Sequence, residues 1–286
     1  MAETHAEPDP HADAQTPKAL AGGFCFGEGP RWFEGLLWFS DMLGEAVHTV
    51  GLNGSMTTVP LPGHTPTGLG FAADGSLLIA SAEDRLLLRY DGDEVTTLVD
   101  LSGHVPAALG DMVIDAAGRC YVGSQAYTGG VIVRVDPDGG VHTVAEDLDF
   151  PNGMVITEDG GTLIAAESMG RRLTAYTVGA DGGLSDRRIF ADGLDGPPDG
   201  ITLDAAGGVW TSMTLAHRFE RITFGGVVTD RIDVGDRAAI ACTLGGPQRR
   251  TLFLLTSTDA YPKRLIGTRD SRLDTVTVEI PGAGLP

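Results

Sequence analysis

The chain is short of positive charge, of cysteine, of long apolar runs and of helical periodicity. Lysine and arginine number 20 against 39 aspartates and glutamates, a formal charge of −19 over 286 residues. Such a balance excludes nucleic acid and anionic membrane surfaces as partners, because like charges repel. For most of those carboxylates the plain reading is a solvated acidic surface. Three cysteines occur, Cys25, Cys120 and Cys242, without metal-type spacing. They read as reduced, buried thiols and place the chain in the cytoplasm. No apolar run reaches the ~18 residues of a membrane span. No stretch sustains a helical period. Also missing is the Gly-x-Ser-x-Gly elbow of a serine nucleophile. Ser40, Ser81, Ser124, Ser168 and Ser212 fall in or after strand-like runs with no matching His and Asp.

What is abundant is turn chemistry, with 41 glycines and 16 prolines. The glycines recur. Gly75, Gly118, Gly160 and Gly207 stand 43, 42 and 47 residues apart, each just before a short strand-like run such as Leu77-Leu78-Ile79-Ala80 or Val209-Trp210-Thr211-Ser212. Weaker copies flank them, at Gly35 before Leu36-Leu37-Trp38-Phe39 and at Gly245-Gly246 before Leu252-Phe253-Leu254-Leu255. Within a copy the pattern reads strand, turn, strand. Thr162 to Ala166, Arg172 to Val178 and Ser185 to Phe190 are the clearest set. A period of about 40 to 50 residues with several short strands is the signature of propeller blades. The expected fold is all-β, a six-bladed β-propeller over residues 20–286. Met1 to Lys18, rich in Ala, Pro, Asp, Glu and His, lacks the basic start and apolar core of a signal peptide. Residues 1–19 are expected to be a disordered acidic tail. The strand-like Ala21 to Phe26 is expected to join Leu273 to Ile280 in the last blade, since a propeller must close on itself.

Eight residues before the glycine of each copy stands a position that the fold should bring to one ring at the channel mouth. These positions are Thr67, Gly110, Asn152 and Asp199, joined by Glu28 and by a residue near Ala241 or Cys242. Glu28, Asn152 and Asp199 sit in Gly27-Glu28-Gly29-Pro30, Pro151-Asn152-Gly153-Met154 and Pro198-Asp199-Gly200-Ile201. Three oxygen donors crowded at an axis are costly without a partner, and a hard divalent cation supplies one. Ca²⁺ comes first for an all-oxygen set, with Mg²⁺, Mn²⁺ and Zn²⁺ as alternatives.

These motifs resemble the family of regucalcin, gluconolactonase and the luciferin-regenerating-enzyme-like lactonases. The resemblance runs from about Gly27 to the end and includes Gly118-Arg119, Phe150 to Met154, Pro198-Asp199-Gly200, Leu244-Gly245-Gly246-Pro247 and Pro281 to Pro286. It implies one catalytic divalent cation in the channel and hydrolysis of a lactone or related cyclic ester. By motif, Glu28, Asn152 and Asp199 match the family's metal ligands, and Asp199 its catalytic acid or base. One departure stands out. Where the family has an Asn-Asp pair in the third copy, this chain reads Gly110-Asp111. The lost carboxamide implies room for a bulkier substrate, a water in the gap, or a changed reaction.

Around this set, Gly110, Asp111, Thr67, Tyr127 and His217 are expected at the substrate, Tyr127 and His217 from loops after their strands. Asp41 and Glu167 read as turn or rim groups. Arg119 reads as an inter-blade hydrogen-bond donor. A small-molecule substrate is the expected partner; oligomeric state is left open. Three function classes stay open: a metal-dependent lactonase, a metal-assisted non-hydrolytic enzyme such as an isomerase acting on a natural-product intermediate, and a non-enzymatic binding propeller.

Overall fold

The computed structural model describes residues 16–283. They form six four-stranded antiparallel sheets, the blades of a β-propeller. Blade one comprises Gly27–Phe33, Leu36–Asp41, Ala46–Val50 and Met56–Pro60, from the channel outward. The inner strands of blades two to six are Pro66–Phe71, Leu109–Ile114, Pro151–Ile156, Pro198–Leu203 and Ala238–Gly245. Each inner strand packs on the inner strands of both neighbouring blades, so that the six close a ring. Among the described residues, helical structure is confined to two short 3-10 turns, Thr214–Ala216 and Pro262–Arg264.

Burial follows the radius. Leu109–Ile114 is buried along its whole length, whereas the outer Val95–Asp100, with its threonines, is largely exposed. The core is therefore a circle of apolar layers, one between each pair of blades. Leu69, Leu77 and Ile79 meet Val47 between blades one and two. Leu78, Ala80 and Leu87 meet Met112 and Val122 between two and three. The circle closes where Leu37 and Phe39 of blade one meet Ile240, Phe253 and Leu255 of blade six. Each such fully buried side chain contributes roughly 1.5–3 kcal/mol.

Closure uses the N-terminus, as expected. The strand Lys18–Phe24 pairs antiparallel with Ser271–Thr277 and forms the outer edge of blade six. It spans Lys18–Phe24 where Ala21 to Phe26 was expected, so it starts and ends earlier in the chain. The tail expected over residues 1–19 otherwise lies almost wholly outside the described residues.

Two acidic residues expected at turns or rims are instead buried structural anchors. Asp41 is 3 % exposed and accepts the backbone N–H groups of Cys25 and Phe26 at 3.0 and 2.8 Å. It thereby fixes the crossover from the closing strand into blade one. Glu167 is 0 % exposed. It accepts Arg172 Nε at 2.9 Å, Arg187 Nη2 at 3.0 Å, the Asp149 N–H at 2.9 Å and the Thr174 hydroxyl. Burial alone would raise its pKa, but the hydrogen bonds from Arg172 and Thr174 outweigh that and hold it at about 2. Arg119 does reach a neighbouring blade, donating to the Ala180 carbonyl at 2.9 Å.

Candidate active site in the central channel

All six inner strands carry a register shift against their second strand at corresponding places. It falls between Glu28 and Arg31, Pro66 and Leu69, Leu109 and Met112, Pro151 and Met154, Pro198 and Ile201, and Ala239 and Ala241. A bulge re-aims the side chain it contains. In five blades the bulged or flanking residues are those singled out in the sequence: Glu28, Thr67, Gly110 with Asp111, Asn152 and Asp199. In blade six the position is Ile240, which offers no donor.

The glycine that follows Glu28, Thr67, Asn152 and Asp199 has a steric cause; blade three has Met112 after Asp111 instead. A Cβ on Gly29, which has φ +51°, would stand 2.3 Å from the Thr67 carbonyl oxygen of the next blade. One on Gly153 would stand 2.5 Å from the Asp199 carbonyl oxygen. Neighbouring inner strands thus press on each other through the glycines of four blades, which lets them approach one axis closely.

Glu28, Thr67, Asp111, Asn152 and Asp199 line one cavity of about 110 Å³ at the channel mouth. Phe26, Met42, Phe150, Ala260 and Pro262 form an apolar rim, and Gln125 completes the polar lining. The Thr67 hydroxyl faces the Ala80 and Gly110 carbonyl oxygens at 3.1 and 2.9 Å, so it fixes backbone. Asp111 is paired across the channel with Arg31, at 3.0 Å. Farther along the inner strands, Arg31, Met154, Thr202, Thr243 and Ala283 line a narrower cavity of about 40 Å³. Arg31 therefore lies between the two ends of the channel.

The carboxyl groups crowd each other. Burial first, then the charges of Asp199 and Asp111, push the Glu28 carboxyl well above its ordinary range. Asp199 is pushed up to about 7 by burial and by Asp111, against hydrogen bonds from Thr214 and Asn152. Asp199 Oδ1 is buried without a hydrogen-bond partner. Its Oδ2 accepts the Thr214 hydroxyl at 3.5 Å. The Asn152 amide nitrogen lies 3.3 Å from Ser168 Oγ. Among the described residues no three His, Cys, Asp or Glu side chains form a metal cluster. The donors here are two carboxylates and one carboxamide. An orphaned carboxylate oxygen, mutual repulsion and an all-oxygen donor set are the conditions that a hard cation relieves. The residues present fit one.

The remaining expected residues fall elsewhere. Tyr127 is 69 % exposed, its ring edge-on to Phe150 at 5.4 Å, and it does not line the cavity. His217 caps the 3-10 turn of blade five with φ 57°. Its Nδ1 lies 2.9 Å from the Arg237 carbonyl oxygen, and it too is absent from the cavity wall. The space beside Gly110 is not open. A Cβ there would stand 2.9 Å from Gln125 Cγ and 3.0 Å from Gln125 Nε2. The expected extra room or gap-filling water gives way to a side chain from the adjoining strand's end.

The family described as SMP-30/gluconolactonase/LRE-like matches residues 26–258. The chain belongs to that family. A pentonolactonase, XacC, of Haloferax volcanii is 29 % identical over 240 residues, covering 81 % of each chain. A 6-deoxy-6-sulfogluconolactonase of Pseudomonas putida is 27 % identical over 242 residues, covering 81 % of this chain and 83 % of its own. In fold, the calcium-binding protein regucalcin of Agrobacterium tumefaciens superposes with a TM-score of 0.82 at 22 % identity, over 95 % of this chain and 97 % of that one.

Proposed function

We propose that this chain is a gluconolactonase-like hydrolase that opens the ring of a lactone or related cyclic ester, with one divalent cation held by Glu28, Asn152 and Asp199. The observation that carries the reading is the convergence of these residues, from three blades, on one cavity in which Asp199 keeps a buried, unpartnered oxygen. Two relatives named as lactonases match across most of the chain. When bound, the cation, Ca²⁺ foremost, supplies Lewis-acid polarisation of the lactone carbonyl and offsets the negative charge of the transition state.

The chain's own residues do the rest. Asp199 is the general base. Thr214 and Asn152 orient its carboxyl, so that one oxygen can meet the cation while the other takes the proton of an attacking water. Asn152 is itself steadied by Ser168, which donates onward to the Pro198 carbonyl at 2.6 Å. Asp111 is held by Arg31 at 3.0 Å, which offsets part of the charge it brings to the mouth. Phe26, Met42, Phe150, Ala260 and Pro262 exclude bulk water from one side of the ring.

The test is a panel of aldonolactones and simple lactones, followed by proton release, with the full chain supplied with Ca²⁺, Mg²⁺, Mn²⁺ or Zn²⁺. At least one lactone should open well above the uncatalysed rate. A chelator should abolish this and added cation restore it. No opening of any lactone with any cation rejects hydrolysis.

A further inference from the structure

The residues that follow the second strand of each blade form a second tier above the bulges. Pro151 pairs with Glu167, Pro198 with Met213 and Leu109 with Ser124, so Ser168, Thr214 and Gln125 are equivalent. In blade four the tier residue hydrogen-bonds the bulge residue beside it, Ser168 with Asn152 at 3.3 Å. In blade five Thr214 does the same with Asp199 at 3.5 Å. Blade three differs on both levels. Its bulge residue is Gly110, which has no side chain to be held, and its tier residue is the longer Gln125.

Gln125 fills what Gly110 leaves. Its Cγ, Nε2 and Cδ lie 2.9, 3.0 and 3.2 Å from where a Cβ on Gly110 would be. Its backbone is fixed, with the N–H donating to Ala108 at 2.8 Å and the following Ala126 N–H donating to Ser124 at 2.8 Å. Its carboxamide makes no hydrogen bond to any described residue, yet lines the cavity that holds Asp199. A carboxamide carries two N–H donors and an acceptor oxygen. Gln125 is half-buried and its polar atoms are not among the buried unpartnered ones, so they stay open to the hydroxyls of a ligand seated in the cavity. Among the described residues no Lys, Arg or His side chain lines this cavity. A negatively charged substituent seated there would have no cationic side chain to pair with.

We propose that Gln125, seated over Gly110, is the residue that selects the substrate at this site, its carboxamide binding ring hydroxyls of an uncharged, hydroxylated lactone. This rests on the lactonase reading but is separable from it. Gln125 is a specificity residue: it meets substrate hydroxyls away from the scissile bond.

The experiment compares wild type, Gln125→Met, Gln125→Ala and the double variant Gly110→Asn/Gln125→Ala, all full-length and cation-loaded. Methionine keeps the length of the side chain without its hydrogen bonds. KM and kcat are measured on a neutral hydroxylated aldonolactone, on the unsubstituted lactone of the same ring size, and on a sulfonated aldonolactone. Calorimetry measures binding of the corresponding neutral aldonolactam, whose ring amide resists hydrolysis. Gln125→Met should raise KM for the hydroxylated lactone, and Kd for the lactam, by about tenfold, the scale of one or two neutral hydrogen bonds. KM for the unsubstituted lactone should stay within about twofold, and kcat should hold, since uniform binding alone is lost. The double variant should recover most of what Gln125→Ala loses, because Gly110→Asn returns a carboxamide to the same space. The sulfonated lactone should be the poorest wild-type substrate.

Equal KM changes on hydroxylated and unsubstituted rings, or none on either, overturn the role of Gln125. A sulfonated lactone turned over as well as the neutral one overturns the uncharged class. If wild type opens no lactone but binds the lactam through Gln125, the hydrolytic reading falls and this one stands. If wild type binds no lactam, this one falls too.

Discussion

Asp199→Asn should lower lactone hydrolysis by about a hundredfold or more while leaving the propeller folded. Removing a positioned general base typically costs 10²–10⁴-fold, roughly 3–5 kcal/mol of barrier. The change is nearly isosteric, and Thr214 at 3.5 Å can meet an amide oxygen as it meets a carboxylate. Stability gives an independent sign. In the cation-free protein the Asp199 pKa is raised from 3.8 to about 7. An acid with a raised folded-state pKa releases its proton sooner when unfolded. Folding stability therefore falls as pH rises from about 4 to about 7. In chelator, Asp199→Asn should flatten that slope and melt no lower than wild type at neutral pH. Full activity in the variant would remove Asp199 from the role of base. A large loss of melting temperature in chelator would show that the carboxylate stabilises rather than strains the fold.

Deleting the chain through Phe26 should abolish folding, whereas deleting it through Gln15 should leave the melting temperature unchanged. The longer deletion removes the strand Lys18–Phe24 and bares the edge of Ser271–Thr277. Phe24 and Phe26, each 2 % exposed, leave the layer between blades six and one. Two lost phenylalanines cost about 6–10 kcal/mol at 3–5 each. The deletion also takes away the backbone N–H groups that satisfy buried Asp41. Asp41 keeps His48 and the Gly44 N–H, so losing the Cys25 and Phe26 donors costs roughly a further 1–3 kcal/mol. Together these approach or exceed the ~5–15 kcal/mol stability of a typical domain. Circular dichroism and thermal melts of the two truncations check this. Equal melting of both would mean that the propeller closes without its N-terminal strand.

The repeat was legible because a blade is a local unit whose turns need glycine at fixed places. Gly75, Gly118, Gly160 and Gly207 all adopt positive φ, as the period implies. Glu28, Asn152 and Asp199 were legible for a related reason: each precedes a glycine that the next inner strand presses against. Thr67 and Asp111, from the same ring of positions, were legible too; the apolar rim and Gln125 were not. Ala260 and Pro262 come from a connection in blade six that carries no repeat signal. Gln125 follows a strand and reads as a turn residue until the tier of Ser168 and Thr214 is recognised beside it. Tyr127 and His217 show the limit of reasoning by nearness in sequence. Each follows the second strand of its blade by a few residues, far enough for the loop to carry the side chain off the cavity wall. Asp41 and Glu167 end strands, where carboxylates are usually solvated. Burial of both depends on partners from other strands and blades, Cys25 and Phe26 for one and Arg187 for the other.

The central claim is that Glu28, Asn152 and Asp199 together hold one divalent cation. Calorimetric titration of the chelator-stripped chain with Ca²⁺ tests it most directly, repeated on Glu28→Gln, Asn152→Ala and Asp199→Asn. The wild type should bind one ion per chain, and each variant should bind it at least tenfold more weakly while retaining the circular dichroism of the β fold. Binding of unaltered affinity in all three variants, or no binding of Ca²⁺, Mg²⁺, Mn²⁺ or Zn²⁺ by the wild type, would contradict the account.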